Sequence, residues 1–439
     1  MTDDDDRMTK RVHLRTLGCR LNQSEIEAMA RQFERQGHHV VDDPAEADWI
    51  VVNTCAVTAD AVRGSRRLVR QLHKAGADAE ITVTGCYAQI APGDIAVLPG
   101  VARVVGNADK DALVPDLTGQ PLAPFDEEPI ARGAPSWVNR TRAFVKVQDG
   151  CDNACTFCVT TIARGAGRSR PIDEVAREVR ALHQAGYQEI VLTGVHLGSY
   201  GHDRGEADGL AALVRALLAD TEIPRLRLSS LEPWDLAPEF FDLWAEARLC
   251  PHLHLPLQSG CDATLRRMAR RTSQMQFSAL VREARARIPD VAITSDVIVG
   301  FPGETDAEFE TSLRFIEAMD FAGLHVFRYS KRPGTAAARI RGHVPEDVKR
   351  DRSARLLELA AAAEGRFAAR FAGRELPVLW EQVAGAQPDG FLNVGYTHNY
   401  VRVYAVHPRA LTNLIVPARV MAFDPQRGQS RVTPLIGEN

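Results

Sequence analysis

Cys151, Cys155 and Cys158 stand in the run GCDNACTFC as C-x3-C-x2-C, three thiolates aimed at one inorganic centre with no fourth close by. Soft thiolates select iron–sulfur clusters or zinc. A structural zinc site would close its tetrahedron with a fourth Cys or His, and an electron-carrying ferredoxin run would supply a fourth cysteine, often ahead of a proline. Here Cys158 is followed by Val159, Thr160 and Thr161, and the next cysteine is Cys250. Zinc stays the structural alternative, but the open triad favours a four-iron cluster with one iron left for chemistry. Cys19, Cys55 and Cys86 form a second group, in TLGCRLNQSE, NTCAVT and TGCYAQ. A lone buried cysteine is usually a small core hydrophobe. Three of them, each just past a strand-like run in successive units, point instead to a shared site.

The first spacing is that of the radical S-adenosylmethionine (radical SAM) enzymes. Together with the three N-terminal cysteine segments, VQDGCDNACTFC, LTGVHLGSYG, LSSLEP, HLPLQSG and GFPGET make the chain resemble the methylthiotransferases of that superfamily, from about residue 11 to its end. The resemblance implies two 4Fe-4S clusters, one on Cys151, Cys155 and Cys158 and an auxiliary one on Cys19, Cys55 and Cys86. It also implies two uses of S-adenosylmethionine: as methyl donor to sulfur and as radical source, bound through its amino and carboxylate groups at the open iron. Abstracting hydrogen from an unactivated aromatic carbon is beyond any protein side chain, so the cofactor must do it.

Further cofactor contacts are expected around that centre. Phe157 would pack beside the adenine or shield the cluster. Gly194, after the second strand of the central region, would let backbone approach the cofactor. Ser229, Ser230 and Glu232 would meet its ribose or amino group, with His254, Gln258 and Ser259 at the same end. Gly300 in GFPGE would allow close approach of the adenosine. Arg164, with Arg168 and Arg170 in RGAGRSR, would hold a carboxylate or substrate phosphates, since guanidinium forks suit both. Each of these has a bland reading as core, turn or solvated loop. Relatives commonly carry Pro-Tyr where this chain has Thr161-Ile162, which removes an aromatic but no ligand.

Val-Gln-Asp before Gly150-Cys151, LTGVHLGSYG and YTHNYVRV look most like the branch that methylthiolates carbon 2 of N6-threonylcarbamoyladenosine at position 37 of tRNA, 3′ of the anticodon. The sibling branches, which act on isopentenyladenosine or on a ribosomal-protein aspartate, typically read Arg-Gly-Cys and Glu-Gly-Cys there. The expected partners are tRNA and an electron donor such as flavodoxin or ferredoxin, and the expected state is a monomer. The rival from another class is a non-catalytic iron–sulfur protein that binds RNA or passes electrons. Such a carrier needs four protein ligands per cluster, which neither triad supplies.

These residues require an α/β scaffold. Residues 11–120 alternate strands near 12–16, 49–53, 81–84 and 101–105 with helices near 23–36 and 61–75, predicting a parallel-sheet domain with its three cysteines at strand carboxyl ends, where such sheets bind ligands. Residues 121–140, rich in proline and charge, read as a linker, and residues 1–10 as an acidic, disordered leader. From 141 to 371, six strand-like runs (143–147, 189–193, 225–229, 252–256, 292–299 and 323–329) alternate with helices; they resemble the partial TIM-like barrel of radical SAM enzymes and end in a basic helix near 345–371. Residues 372–439 carry short β-rich runs and resemble the small TRAM β-barrel of RNA-modifying enzymes, where Tyr396, His398, Tyr400 and Arg402 could contact nucleotides.

At 439 residues the chain should divide into several domains. No apolar run approaches the roughly 18 residues a membrane helix needs, and the start has no apolar signal core. With eight cysteines, six of them in the two groups, a reducing cytoplasm and metal ligation fit better than a disulfide framework. A net charge of −4 does not announce nucleic acid. The clearest basic patch is Arg63, Arg66, Arg67, Arg70 and Lys74, at helical spacing just past Cys55, with a solvated face as the plain alternative.

Overall fold

The computed structural model describes residues 9–121 and 141–436. Nearly all of the expected leader and linker lies outside those residues. Packing divides the described residues into two compact units: 9–121 together with 150–152 and 158–166, and the rest.

The first unit is a five-stranded parallel sheet in the order β2-β1-β3-β4-β5. Its strands are β1 (Arg11–Thr16), β2 (His39–Val40), β3 (Trp49–Thr54), β4 (Glu80–Gly85) and β5 (Val101–Val104). The two-residue edge strand β2 has too little periodicity to be read from sequence. Helices α1 (Arg20–Arg35), α2 (Ala59–Ala75), α3 (Cys86–Ile90), α4 (Pro92–Ala96) and α5 (Leu113–Thr118) connect or cover the strands. Ile50, Val52, Ile81 and Val83 pack with Val69 and Leu72 of α2, and Val12, Leu14 and Val51 with Ile26, Met29 and Phe33 of α1. Strands buried on both faces read as near-continuous apolar runs, as central β3 does in Trp49–Val52. The short helix α6 (Thr160–Arg164), which begins two residues after Cys158, also belongs to this unit: Ala163 lies in its core and accepts a 2.8 Å hydrogen bond from Asn107.

The second unit holds six parallel strands in two sheets, β6 (Arg142–Lys146), β9 (Glu189–Thr193) and β10 (Arg225–Leu228), then β11 (His252–His254), β12 (Ala292–Val299) and β13 (Gly323–Arg328). The sheets meet at a bridge between Ser230 and His254, where the Leu231 amide donates to the His254 carbonyl at 2.9 Å. The result is the expected partial barrel. Between β6 and β9, β7 (Gln148–Asp149) and β8 (Arg168–Ser169) pair across the cysteine loop. Helices α7 (Ile172–Gln184), α8 (Gly209–Asp220), α9 (Asp262–Arg267), α10 (Gln274–Arg287) and α11 (Asp306–Ala318) follow, α11 starting with a full Thr305–Glu308 capping box. The helix expected near 345–371 is α12 (Glu346–Ala369), which is not basic as expected: its Lys and Arg are matched in number by its Asp and Glu. It leads into a closed five-stranded barrel, β14 (Glu375–Gln387), β15 (Gly390–Thr397), β16 (Arg402–His407), β17 (Ile415–Asp424) and β18 (Gln429–Pro434), whose core includes Trp380, Val403 and Val420. Closure removes the exposed strand edges. No helix among the described residues is long and apolar enough to cross a membrane.

Candidate functional site

In the first unit, Cys19 caps the start of α1, Cys55 follows β3 directly, and Cys86 opens α3 where β4 ends. β1, β3 and β4 are neighbours, so all three thiols stand at one end of one sheet. Cys55 and Cys86 are buried and Cys19 is exposed. Burial above all, with the charges of Cys19 and Cys86 in support, pushes the Cys55 thiol up to about 11, so a metal centre there must displace its proton. Gly18 makes the approach possible: at φ +115° it lies against Cys55, and an added Cβ would fall 2.9 Å from the sulfur. Three soft donors around such a cradle fit an iron–sulfur cluster.

Behind these thiols lies a buried charge cluster. Glu25 on α1 accepts from Lys110 at 2.7 Å and from Arg164 at 2.8 Å, and each of the three is at most 5% exposed. Arg164 also donates to Asn22 at 2.9 Å, and Asn22 lies 3.8 Å from the Cys19 sulfur. The cofactor contact expected of Arg164 thus meets a different geometry: its fork is filled by the N-terminal domain. Lys110 and Glu25 carried no sequence signal for this, because the pairing spans 85 and 139 residues.

The other triad sits in the loop after β7, and its three thiols are half-buried and free of disulfides. The Cys151 amide donates to Gly165 at 3.0 Å, and Gly150, at φ +73°, has the Ala166 carbonyl where a side chain would start. In the second unit, Arg270 reaches the Cys155 sulfur at 3.7 Å, binds both oxygens of Glu232 at 3.1 and 2.6 Å, and lies 4.5 Å over the Trp234 ring. Glu232, expected to meet the cofactor, is therefore held by an arginine that sequence reasoning passed over. Asn153 of the same loop contacts His196 at 3.2 Å, and His196 meets Asp235 at 2.5 Å, a relay also unread in the sequence.

The remaining expected contacts are placed as follows. Ser229 follows β10 with its hydroxyl buried and unpartnered among the described residues, an orphan polar atom suited to a ligand. Ser230 bridges to His254. Gln258 is held at φ +74° by bonds to Asp296 and Ile298, a strained backbone of the kind found at binding sites. Phe157 packs edge-on to Phe301 with centroids 6.5 Å apart, beside Met268 and Tyr329. A side chain at Gly194 would meet Gln148, and one at Gly300 would meet Lys349. Arg168 is exposed on β8.

In the C-terminal barrel, Tyr396 and Tyr400 stack on each other at 4.8 Å, with Arg142 4.9 Å over the first and Arg227 4.7 Å over the second. Arg227 also binds Glu189 at 2.6 and 3.0 Å and the His398 carbonyl at 3.1 Å. The two tyrosines and His398, read as candidate nucleotide contacts, instead form the seam to the partial barrel. Arg402 is exposed.

Comparison with known proteins agrees with this architecture. Residues 145–316 match the radical SAM superfamily and residues 11–106 the uncharacterized protein family UPF0004. Threonylcarbamoyladenosine tRNA methylthiotransferase MtaB of Bacillus subtilis is 37% identical over 93% of both chains, and that of Thermotoga maritima is 39% identical over 90% of this chain and 91% of the relative. The tRNA-2-methylthio-N(6)-dimethylallyladenosine synthase of Maricaulis maris is 34% identical over 85% of this chain and 87% of its own. Among solved structures, the radical S-adenosylmethionine methyltransferase TsrM from Kitasatospora setae, with cobalamin and a [4Fe-4S] cluster bound, superposes with a TM-score of 0.56 at 18% identity over 75% of this chain and 77% of that chain, a likeness of fold. With curated relatives this similar along nearly its whole length, the chain belongs to the radical SAM tRNA methylthiotransferases.

Proposed function

We propose that this enzyme methylthiolates carbon 2 of N6-threonylcarbamoyladenosine at position 37 of tRNA, using two 4Fe-4S clusters. The observation that carries the reading is the pairing of two open cysteine triads with MtaB-named relatives among the most similar. Cys151, Cys155 and Cys158 would hold the radical-generating cluster and Cys19, Cys55 and Cys86 the auxiliary one. These groups and S-adenosylmethionine would supply the radical, the methyl group and the sulfur. The protein's own part is positional. Arg270 fixes Glu232 and donates to Cys155, the Ser229 hydroxyl is available to the cofactor, and Phe157 with Phe301 keeps water from the loop. Arg63, Arg67, Arg70 and Lys74 are exposed along one face of α2, a stripe suited to tRNA phosphates. A monomer in the cytoplasm, reduced by a flavodoxin or ferredoxin, completes the proposal.

Reconstituted enzyme should convert threonylcarbamoylated tRNA and leave isopentenylated tRNA unmodified, as read by mass spectrometry of digested nucleosides. The reverse preference would favour the dimethylallyladenosine reading that the Maricaulis relative's name suggests. Iron analysis should give about eight irons per chain, with Cys151→Ala and Cys55→Ala each removing about four. Cys155→Ala should abolish 5′-deoxyadenosine formation, whereas Cys86→Ala should retain some while yielding no methylthio product.

A further inference from the structure

The register of the second sheet gathers a cluster that neither triad uses. β11, β12 and β13 are parallel, with His254 opposite Thr294 and Asp296 opposite His325. Paired residues in a ladder share a face, and residues two apart on one strand share it as well. His254, Thr294, Asp296 and His325 therefore stand on one face of the sheet. The pattern of exposure agrees: Thr294, Asp296 and Ile298 are half-buried, while Ser295, Val297 and Val299 between them are buried.

The side chains converge further than the register requires. His254 Nε2 lies 3.3 Å from Asp296 Oδ1, and His325 Nδ1 lies 3.1 Å from the same oxygen. All three atoms fall within 4.8 Å of one another, and the imidazole rings lie 5.5 Å apart at 32°. Two ligands bound at about 2.0–2.2 Å to one first-row ion stand about 2.9–3.4 Å apart, which is the separation of each imidazole nitrogen from the Asp296 oxygen. The other nitrogen of His254 is tied to the Thr294 hydroxyl at 2.9 Å, the outer hydrogen bond that orients a metal-binding imidazole. His254 is buried, whereas the His325 side chain is 62% exposed, so one side of the cluster stays open to an entering ion and to further ligands.

From this geometry we infer that His254, Asp296 and His325 form a two-histidine, one-carboxylate site for a divalent first-row cation of the zinc class, separate from both cysteine triads. Two imidazole nitrogens are borderline donors that suit such ions, whereas calcium and magnesium take oxygen ligands, of which the cluster offers one carboxylate. The inference does not depend on which adenosine the enzyme modifies.

The test uses cluster-loaded enzyme held anaerobically with S-adenosylmethionine, dialysed against micromolar zinc, with zinc and iron counted by mass spectrometry. The wild type should take up about one zinc per chain with its iron unchanged. His325→Ala, at an exposed position that leaves the core intact, and Asp296→Asn should each weaken uptake at least tenfold, and Thr294→Val should weaken it about tenfold through the lost outer hydrogen bond. Equal zinc uptake by wild type and His325→Ala, or zinc gained only as iron is lost, would overturn the site.

Discussion

At the scale of single residues, the sequence singled out two groups of three cysteines as candidate ligands, and the structure brings Cys19, Cys55 and Cys86 to one end of one sheet. Their supporting residues were not legible in the sequence, since each acts across a long stretch of chain: Arg270 meets Cys155 from 115 residues away and Arg164 meets Glu25 from 139. The Glu25 cluster sets one carboxylate against two cations in a buried space, which makes its members unequal. Arg164→Met leaves Glu25 its 2.7 Å bond to Lys110 and should cost about 2 kcal/mol. Glu25→Gln leaves two buried cations facing a neutral amide and should cost about 3–5 kcal/mol. Denaturant midpoints of the two variants would establish the order; a larger loss for Arg164→Met would mean that the cations are paired elsewhere. Because Asn22 links Arg164 to the surroundings of Cys19, both variants should also lower iron retention in the N-terminal domain.

At the scale of elements, strand-like runs predicted all four principal strands of the N-terminal sheet and all six of the partial barrel, and the most apolar of them, β3 and β9, are buried as central parallel strands are. The aromatic run at and just after the end of β15 was harder. Tyr396, His398 and Tyr400 have the chemistry of nucleotide contacts, and only the arrival of Arg142, Arg225 and Arg227 from β6 and β10 shows them as a seam. That seam should weaken in acid. Burial first, then the charges of Arg225 and Arg227, lower His398 from its ordinary value to about 4. A histidine depressed in the folded state is protonated more readily when unfolded, so stability should fall as pH drops from about 6.5 toward 4, by on the order of 2 kcal/mol. Glu189 is buried, which alone would raise it, but Arg227, Arg142 and Arg225 hold it at about 2, so its stabilisation is present above its unfolded value and is lost as pH falls below that. Thermal unfolding of wild type and His398→Phe between pH 7 and 5 separates the two, since only the histidine titrates in that window. An unchanged pH slope in the variant would remove His398 from the account.

At the scale of the molecule, the sequence suggested a separate C-terminal domain, yet how strongly the last barrel is bound to its neighbour was not legible in it. A TRAM-like segment suggests a detachable RNA-binding module. The seam argues otherwise: Arg227 is fully buried, and besides Glu189 its partners are the His398 carbonyl and the Tyr400 ring, while Arg225 donates to the Pro377 and Tyr396 carbonyls. Removing residues 373–439 would strip these partners and open the Glu189 cluster to water, along with the face of Ala292, Phe367 and Phe371 that packs into the barrel core. Leaving buried charges without their partners costs about 3–5 kcal/mol, before any loss of apolar burial. The truncated chain should therefore melt well below the intact one, and a fall in its tRNA affinity would report unfolding as much as lost contacts. Calorimetry on both chains decides the matter: equal melting temperatures for the remaining domains would show the barrel to be an independent module after all.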